Sequence, residues 1–264
     1  MSGLDSRAVA DLKSSLLRVM DQKDHWAWSV FGGPTATLDQ LKIHFQQEFG
    51  VYVRDFPILL SRIHARCSVA DVRRDLAENL YEEETGGLSG TGPHPEMFLY
   101  MMEGLGFEKK EFRNVSLLPA ARTYRDWLDE ATTQMPWVVG CAVATVFVEG
   151  SVHDRREISR PSLIPSSQEE GERALLRDNP LVRFHGLDPR YLKLKRAHAR
   201  VESGHRHAAW RIVLDHARSA GDRMLCVEAL ERSLELWLAY REAVALAAGL
   251  RRDARRTARS SSRG

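Results

Sequence analysis

Apolar residues recur along most of this chain every three to four positions, with polar residues between them, which is the period of an amphipathic helix. The strict alternation of polar and apolar residues that is typical of a strand is not seen between turn dipeptides. The pattern therefore predicts an all-α protein. Helices are expected over the following segments: 5–22, 36–66, 68–84, 94–102, 119–133, 135–150, 167–178, 188–218 and 222–250.

Proline and glycine mark the helix ends that bear on function. Pro57 is expected to bend or divide the helix over 36–66, because its ring removes a backbone donor. Gly86 and Gly87 are expected to end the next helix. A glycine-rich loop then leads to His94, where another helix begins.

The length and the composition predict one domain followed by a short tail. With 264 residues, 43% of them hydrophobic, the chain can bury one sizeable core. Lys and Arg number 38 and Asp and Glu 36, so the net charge is only +2, which argues against a nucleic-acid partner. Residues 251–264 contain six arginines and one aspartate. We therefore assign residues 1–250 to the domain and residues 251–264 to a basic tail that is expected to be disordered.

Neither a membrane segment nor a disulfide framework is predicted. The longest apolar run, Trp137–Val148, has 12 residues, whereas a membrane-spanning helix needs about 20. The first residues lack the apolar centre of a signal peptide. The three cysteines are far apart and have no CxxC spacing, which argues against a disulfide framework and a thiolate zinc site. We expect a cytoplasmic protein without a membrane partner.

Three residues of the helix predicted over 188–218 share one face. His198, Glu202 and His205 stand at i, i+4 and i+7, so they lie within a stripe about 60° wide. Glu202 and His205 also have the Glu-x-x-His spacing of carboxylate-bridged iron and manganese sites in helical bundles. The alternative is a solvated basic face, because lysines and arginines surround these residues in the sequence.

The run of three glutamates before the glycine-rich loop offers further carboxylates. If Leu76 and Leu80 mark the inward stripe of the helix, Glu83 and Glu84 face the interior and Glu82 faces solvent. The alternative is that all three carboxylates are simply solvated at the end of the helix.

His94 and Glu149 complete the set of candidate ligands. His94 is separated from the three glutamates by a glycine-rich loop, and this loop can fold back so that the histidine lies near them. Glu149 directly follows the apolar run Trp137–Val148, so it is either a ligand in a dry core or the point where the helix reaches water. Three carboxylates and three imidazoles are a ligand mixture suited to two iron or manganese ions. The six candidates are Glu84, His94, Glu149, His198, Glu202 and His205.

The chain resembles the haem-oxygenase-like dimetal oxidases, a family that shares its fold with pyrroloquinoline-quinone synthase and TenA-type proteins. The resemblance rests on residues 44–57, on residues 79–86 followed by 94–98, on residues 142–149, and on the His-x3-Glu-x2-His motif at 198–205. It implies a single-domain, seven-helix haem-oxygenase-like bundle. It also implies that the metal ligands are Glu84, His94, Glu149, His198, Glu202 and His205.

The resemblance further implies the chemistry. Two Fe(II) ions, or manganese, would use O2 as co-substrate to oxidise a small carboxylate or amino-acid-derived substrate of a biosynthetic pathway. The reaction would be C–C or C–N cleavage, desaturation or N-oxygenation. An external electron donor and a homodimer are also expected. Arg54 or Arg122 could bind the substrate carboxylate. Candidates for orienting the imidazoles are Tyr52, Tyr81, Tyr100 and Asp55.

Two features depart from the family pattern, and two other functions stay open. Glu202 stands where the family usually has aspartate. The connection over 154–185 is longer than usual, which suggests a lid or an oligomer contact. The same fold without metal could be a helical binding or regulatory module. It could also be a cofactorless oxidase.

Overall fold

The computed structural model describes residues 5–159 and 176–252, apart from the side chains of residues 200–203. All regular structure in this part of the chain is helical, which confirms the all-α prediction. The α-helices are α1 (Ser6–Met20), α2 (Trp28–Phe31), α3 (Leu38–Glu48), α4 (Phe56–Arg66), α5 (Ala70–Thr85), α6 (His94–Gly104), α7 (Lys110–Arg113), α8 (Pro119–Thr133), α9 (Trp137–Cys141), α10 (Asp154–Glu157), α11 (Pro180–His185), α12 (Lys193–His216) and α13 (Ala220–Ala247). Two π-helices, π1 (Phe49–Val53) and π2 (Ala142–Val148), extend α3 and α9, and a 3-10 turn covers Pro189–Tyr191.

The helices lie where the sequence predicts them wherever the apolar period is unbroken. α8 begins and ends at the predicted residues, and α1, α5, α6 and α13 begin and end within three residues of their predicted limits. The helix predicted over 167–178 lies largely outside the described residues. The same holds for the middle of the 154–185 connection and for most of the 251–264 tail.

The described residues form more helices than the seven expected. The segment 36–66 is divided into α3, π1 and α4, and the break lies at Asp55 rather than at Pro57. Pro57 is in the first turn of α4, where its missing N–H leaves no hydrogen bond unmade. Short helices in the connections add to the number: α2, α7, α10 and α11.

One helix, formed by α9 and π2, runs through the centre of the molecule. All residues from Val138 to Phe147 are buried, and the helix contacts α4, α8, α12 and α13. Its C-terminal end is closed by Lys23, whose Nζ lies 2.5 Å from the carbonyl oxygen of Phe147 and 2.7 Å from that of Gly150. A cation at this end also complements the helix dipole. The central position agrees with the uniformly apolar sequence of this helix.

No helix in the described ranges is both long and apolar enough to cross a membrane. Cys67, Cys141 and Cys226 are buried free thiols.

Candidate metal centre

The last turns of α5 place Glu83 and Glu84 in different environments. The buried stripe of α5 passes through Leu76 and Asn79, and Glu83 continues it because it follows Leu76 by two helical turns. Glu84 lies about 100° further around the helix and is exposed. The structure thus contradicts the inward orientation predicted for Glu84. The stripe is not centred on Leu80, which is only partly buried.

Glu82, predicted to face solvent, is fully buried. The chain turns back at Gly86, whose φ of 64° favours glycine, and the loop covers the Glu82 carboxylate. The backbone N–H groups of Leu88 and Ser89 donate to Glu82 Oε2 at 2.8 and 3.0 Å. Burial alone would raise the pKa of Glu82, but hydrogen bonds from Ser89, His94 and Leu88 outweigh it and lower this pKa.

His94 is buried at the start of α6, between the two inward glutamates. Its Nδ1 lies 2.8 Å from Glu83 Oε1, and its Nε2 lies 3.2 Å from Glu82 Oε1. Burial alone would lower the pKa of His94, but the neighbouring carboxylates, first Glu83 and then Glu82, raise it. The loop between α5 and α6 therefore brings one imidazole and two carboxylates together.

Glu149 lies at the C-terminal end of π2 and is partly buried. The side-chain amide of Asn79 donates to Glu149 Oε1 at 3.1 Å, so α5 and the central helix meet at this carboxylate. Asn79 is not among the site residues predicted from the sequence. Its signal was an amide on the apolar stripe of α5, between Leu76 and Glu83.

α12 contributes two imidazoles. The ring centroids of His94 and His198 are 5.2 Å apart. Burial lowers the pKa of both His198 and His205, and the charge of Lys195 lowers that of His198 further. Both are thereby kept neutral near pH 7, the form in which imidazole binds metals. Glu202 is on the helical backbone between them, but its side chain lies outside the described residues.

These side chains surround one cavity of about 250 Å³. Of the six candidates predicted from the sequence, His94, Glu149, His198 and His205 line it, and Glu83 lines it where Glu84 was expected. Apolar side chains form much of the remaining wall, so the polar groups converge within a largely apolar enclosure. The apolar lining residues are Val53, Phe56, Val148 and Leu194, and Tyr52, Thr145 and Arg206 complete the wall.

The donor set around the cavity is of the kind that binds iron. Two carboxylates and three imidazoles are hard and borderline donors that suit Fe(II). His205 Nε2 is buried and has no hydrogen-bond partner in the part of the chain described, so a metal ion would satisfy it. As the described side chains are placed, no three His, Cys, Asp or Glu residues have the spacing of a formed metal site. One reason is that the carboxylates of Glu82 and Glu83 approach both nitrogens of His94.

The supporting residues predicted from the sequence lie mostly elsewhere. Tyr52 lines the cavity. Tyr81 is exposed, and the ring of Tyr100 packs against Tyr191. Asp55 accepts hydrogen bonds from Arg125 at 2.7 Å and from Arg54.

Comparison with known proteins identifies the family to which this architecture corresponds. Residues 43–238 match the sequence profile of a family described as iron-containing redox enzymes. The matched range holds all the residues that line the cavity. It begins within α3 and ends within α13.

Two individual proteins show more limited likeness. A 4-aminobenzoate synthase of Chlamydia pneumoniae is 30% identical over 78 residues, which is 30% of this chain and 33% of that protein. The chain therefore aligns with only about a third of that relative's length. A TenA homologue from Pseudomonas syringae pv. tomato str. DC3000 superposes with a TM-score of 0.62 at 12% identity, covering 91% of each chain. At this identity the likeness indicates a shared haem-oxygenase-like fold.

Proposed function

The chain belongs to the family of iron-containing redox enzymes, and we propose that within this family it is a non-haem diiron oxidase or oxygenase that uses O2. One observation carries the proposal. Five donor side chains from four helical elements meet at one largely apolar cavity, and one of them, His205, has a buried nitrogen without a partner among the described residues. A helical binding module would have no need of this donor set in its interior, where unpaired polar groups are costly.

We assign the ligands as Glu83, His94, Glu149, His198 and His205, with Glu202 retained from the sequence. Glu83 takes the place of Glu84, whose side chain is exposed. Ferrous iron held by these residues would supply electrons for the reduction of dioxygen, and manganese is the alternative metal.

The other residues of the site hold these ligands in place. Glu82, anchored by two backbone N–H groups of the loop, fixes the ring of His94 through Nε2. Asn79 holds one oxygen of Glu149. Such partners orient the ligands and commonly change metal affinity by about 10 to 100-fold when they are removed. The apolar wall, including Phe56 and Leu194, limits the access of water to the reacting groups.

The substrate that we propose is a small carboxylate or an amino-acid-derived compound of a biosynthetic pathway. The cavity, at about 250 Å³, can hold only a small molecule or one end of a longer one. The relative named as a 4-aminobenzoate synthase has, by its name, an aromatic carboxylate as product. The external electron donor and the homodimer stay predictions.

Anaerobic reconstitution with ferrous iron tests the proposal. We expect about two iron ions per chain, followed by consumption of O2 that a panel of carboxylates and amino acids accelerates. The double variant His198→Ala, His205→Ala should lose both. His207→Ala is the matched control, because His207 is exposed on the same helix.

Two results would contradict the proposal. Binding of less than about one iron ion, with no O2 consumption, would favour a metal-free binding module. O2 consumption that persists in the presence of a chelator would instead favour a cofactorless oxidase of the same fold.

A further inference from the structure

A second cavity of about 300 Å³ adjoins the candidate metal centre. Tyr52 and Val148 line both cavities, so one wall separates them. The second cavity has aromatic sides, formed by Trp28, Tyr124 and Trp237, and it contains the side chain of Arg241. Nothing in the proposed metal chemistry accounts for an arginine in this position.

Arg241 is 4% exposed, and only one of its three guanidinium nitrogens is paired with a residue that the structure describes. Its Nη2 donates to the hydroxyl of Tyr52 at 2.9 Å and lies 3.3 Å from Glu48 Oε1. Its Nε and Nη1 have no hydrogen-bond partner within the described part of the chain. Leaving the buried donors of a charged group without acceptors costs free energy, so a ligand or solvent that supplies acceptors would stabilise this arrangement.

The groups facing Arg241 already have partners of their own. Glu48 accepts from Tyr52 at 2.5 Å, and its other oxygen lies 3.4 Å from His44 Nε2. Lys23, whose pKa burial lowers to about 7, directs its ammonium toward the carbonyl oxygens at the end of π2. Asp24, the second carboxylate of the lining, accepts from the backbone N–H of His25 at 2.8 Å. Among the described side chains of the lining, the buried nitrogen donors without a partner are those of Arg241, and they call for an anionic acceptor.

The walls define the rest of such a ligand. The Arg241 guanidinium lies 4.4 Å from the ring centroid of Trp28 and 5.4 Å from that of Trp237, so the same rings that border the cation also enclose the cavity. Aromatic surfaces of this kind favour an apolar or aromatic body behind the anionic group.

We propose that the second cavity binds the carboxylate of a small aromatic or short-chain acid, with Arg241 as its anchor. That this acid is the substrate, held with its far end toward the wall formed by Tyr52 and Val148, rests on the proposed function. The binding of the carboxylate itself does not. Arg54 and Arg122, the carboxylate-binding candidates of the sequence analysis, are both exposed, and Arg54 pairs with Asp55.

Calorimetric titration of the metal-free full-length protein with benzoate tests the site. Benzamide, which has the same shape without the charge, should bind at least about tenfold more weakly. Arg241→Gln should weaken benzoate binding by a similar factor and leave benzamide binding little changed. Arg232→Gln, an exposed arginine on the same helix, is the matched control and should bind benzoate like the unmodified protein.

A second variant keeps the test decisive if Arg241→Gln does not fold. The pair Arg241→Gln, Glu48→Gln removes both buried charges together, so no carboxylate is left unpaired. It should fold, as judged by circular dichroism, and should also lose benzoate binding. Equal binding of benzoate and benzamide to the unmodified protein would overturn the proposal, as would unchanged benzoate binding in the folded double variant.

The two proposals can fail separately. If benzoate binds only after iron is loaded and is insensitive to Arg241, the acid binds at the metal and the second cavity is not its site. If the protein binds no iron but retains Arg241-dependent benzoate binding, the carboxylate site stands and the oxidase proposal fails.

Discussion

At the scale of single residues, Glu83 and Glu84 show that one position along a helix decides whether a carboxylate reaches the site. The two residues are consecutive on the same helix, yet the side chain of Glu83 lines the cavity and that of Glu84 is exposed. Glu83→Gln is expected to lower iron affinity by more than about tenfold, because an amide is a poorer ligand than a carboxylate. Glu84→Gln should leave the affinity unchanged. Iron binding measured by equilibrium dialysis checks both, and the reverse order would restore Glu84 as the ligand.

His44 is the residue from which we expect a pH dependence of stability. It is 3% exposed, between the rings of Phe31 and Trp28, and burial lowers its pKa from 6.5 to about 4. Between these two pH values the unfolded chain binds a proton that the folded chain does not, so stability falls as the pH falls. From pH 7.5 to pH 5 the loss from this group is about 2 kcal/mol.

Urea unfolding at the two pH values measures this effect. The difference in unfolding free energy between pH 7.5 and pH 5 should be smaller in His44→Gln by about that amount. His153→Gln, at an exposed histidine, should keep the full difference. An unchanged pH dependence in His44→Gln would mean that His44 is not the responsible group.

At the scale of elements, the loop between α5 and α6 depends on Gly86. Gly86 and Gly90 both have positive φ, 64° and 68°, but they differ in their surroundings. A Cβ at Gly86 would lie 2.2 Å from the backbone nitrogen of Gly92, whereas a Cβ at Gly90 would meet nothing within 4 Å. Gly90→Ala should therefore lower the free energy of unfolding only by the backbone strain, about 1 kcal/mol.

Gly86→Ala should lower the free energy of unfolding clearly more, because the loop backbone at Gly92 must also move away from the added Cβ. Since that loop anchors Glu82 and leads to His94, Gly86→Ala should weaken iron binding as well, whereas Gly90→Ala should not. Chemical denaturation and iron titration of both variants test this. Equal effects of the two substitutions would show that the crowding at Gly86 is relieved without cost.

The elements also show where the sequence was sufficient. Hydrophobic periodicity predicts α8 residue for residue, because its apolar face is regular and Pro119 marks its start. The same periodicity does not reveal π1 or π2, since a wider turn changes the hydrogen bonding of the backbone without changing composition. The prediction for Glu84 is wrong because Leu80 is only partly buried, so the inward stripe of α5 passes through Leu76 and Glu83 instead. The prediction for Glu82 is wrong for a different reason, since helical spacing does not show that Gly86 turns a loop back over this side chain.

At the scale of the whole molecule, the candidate ligands lie between residues 83 and 205 and come from α5, α6, the central helix and α12. A metal that binds these elements together should stabilise the fold. With free iron at about 100 times its dissociation constant, the free energy of unfolding is expected to rise by about 2.7 kcal/mol. Differential scanning calorimetry should show this as a rise in Tm of about 5 to 10 °C. The double variant His198→Ala, His205→Ala should show no rise, and a rise of equal size would place the iron elsewhere.

Much of the site, but not all of its surroundings, could be predicted from the sequence. His198 and His205 follow from spacing within one long helix, and both line the cavity. Arg241 and Glu48 could not be found in this way. They lie on α13 and α3, each within an ordinary amphipathic pattern, and only the packing of α13 against α3 brings the arginine to the glutamate.

The two π-helices have a consequence for how this chain should be aligned with others. A π-turn holds one residue more than an α-turn, so each behaves as an insertion of a single residue into a helix. A chain that lacks one residue within 142–148 would close this segment with α-helical hydrogen bonds, and the residues after it would keep about the same direction because the wider turn had taken up the extra residue. Relatives that align with a one-residue gap in this segment are therefore expected to present the residue that aligns with Glu149 to the same cavity, and the gap belongs inside the π-helix rather than at the ligand.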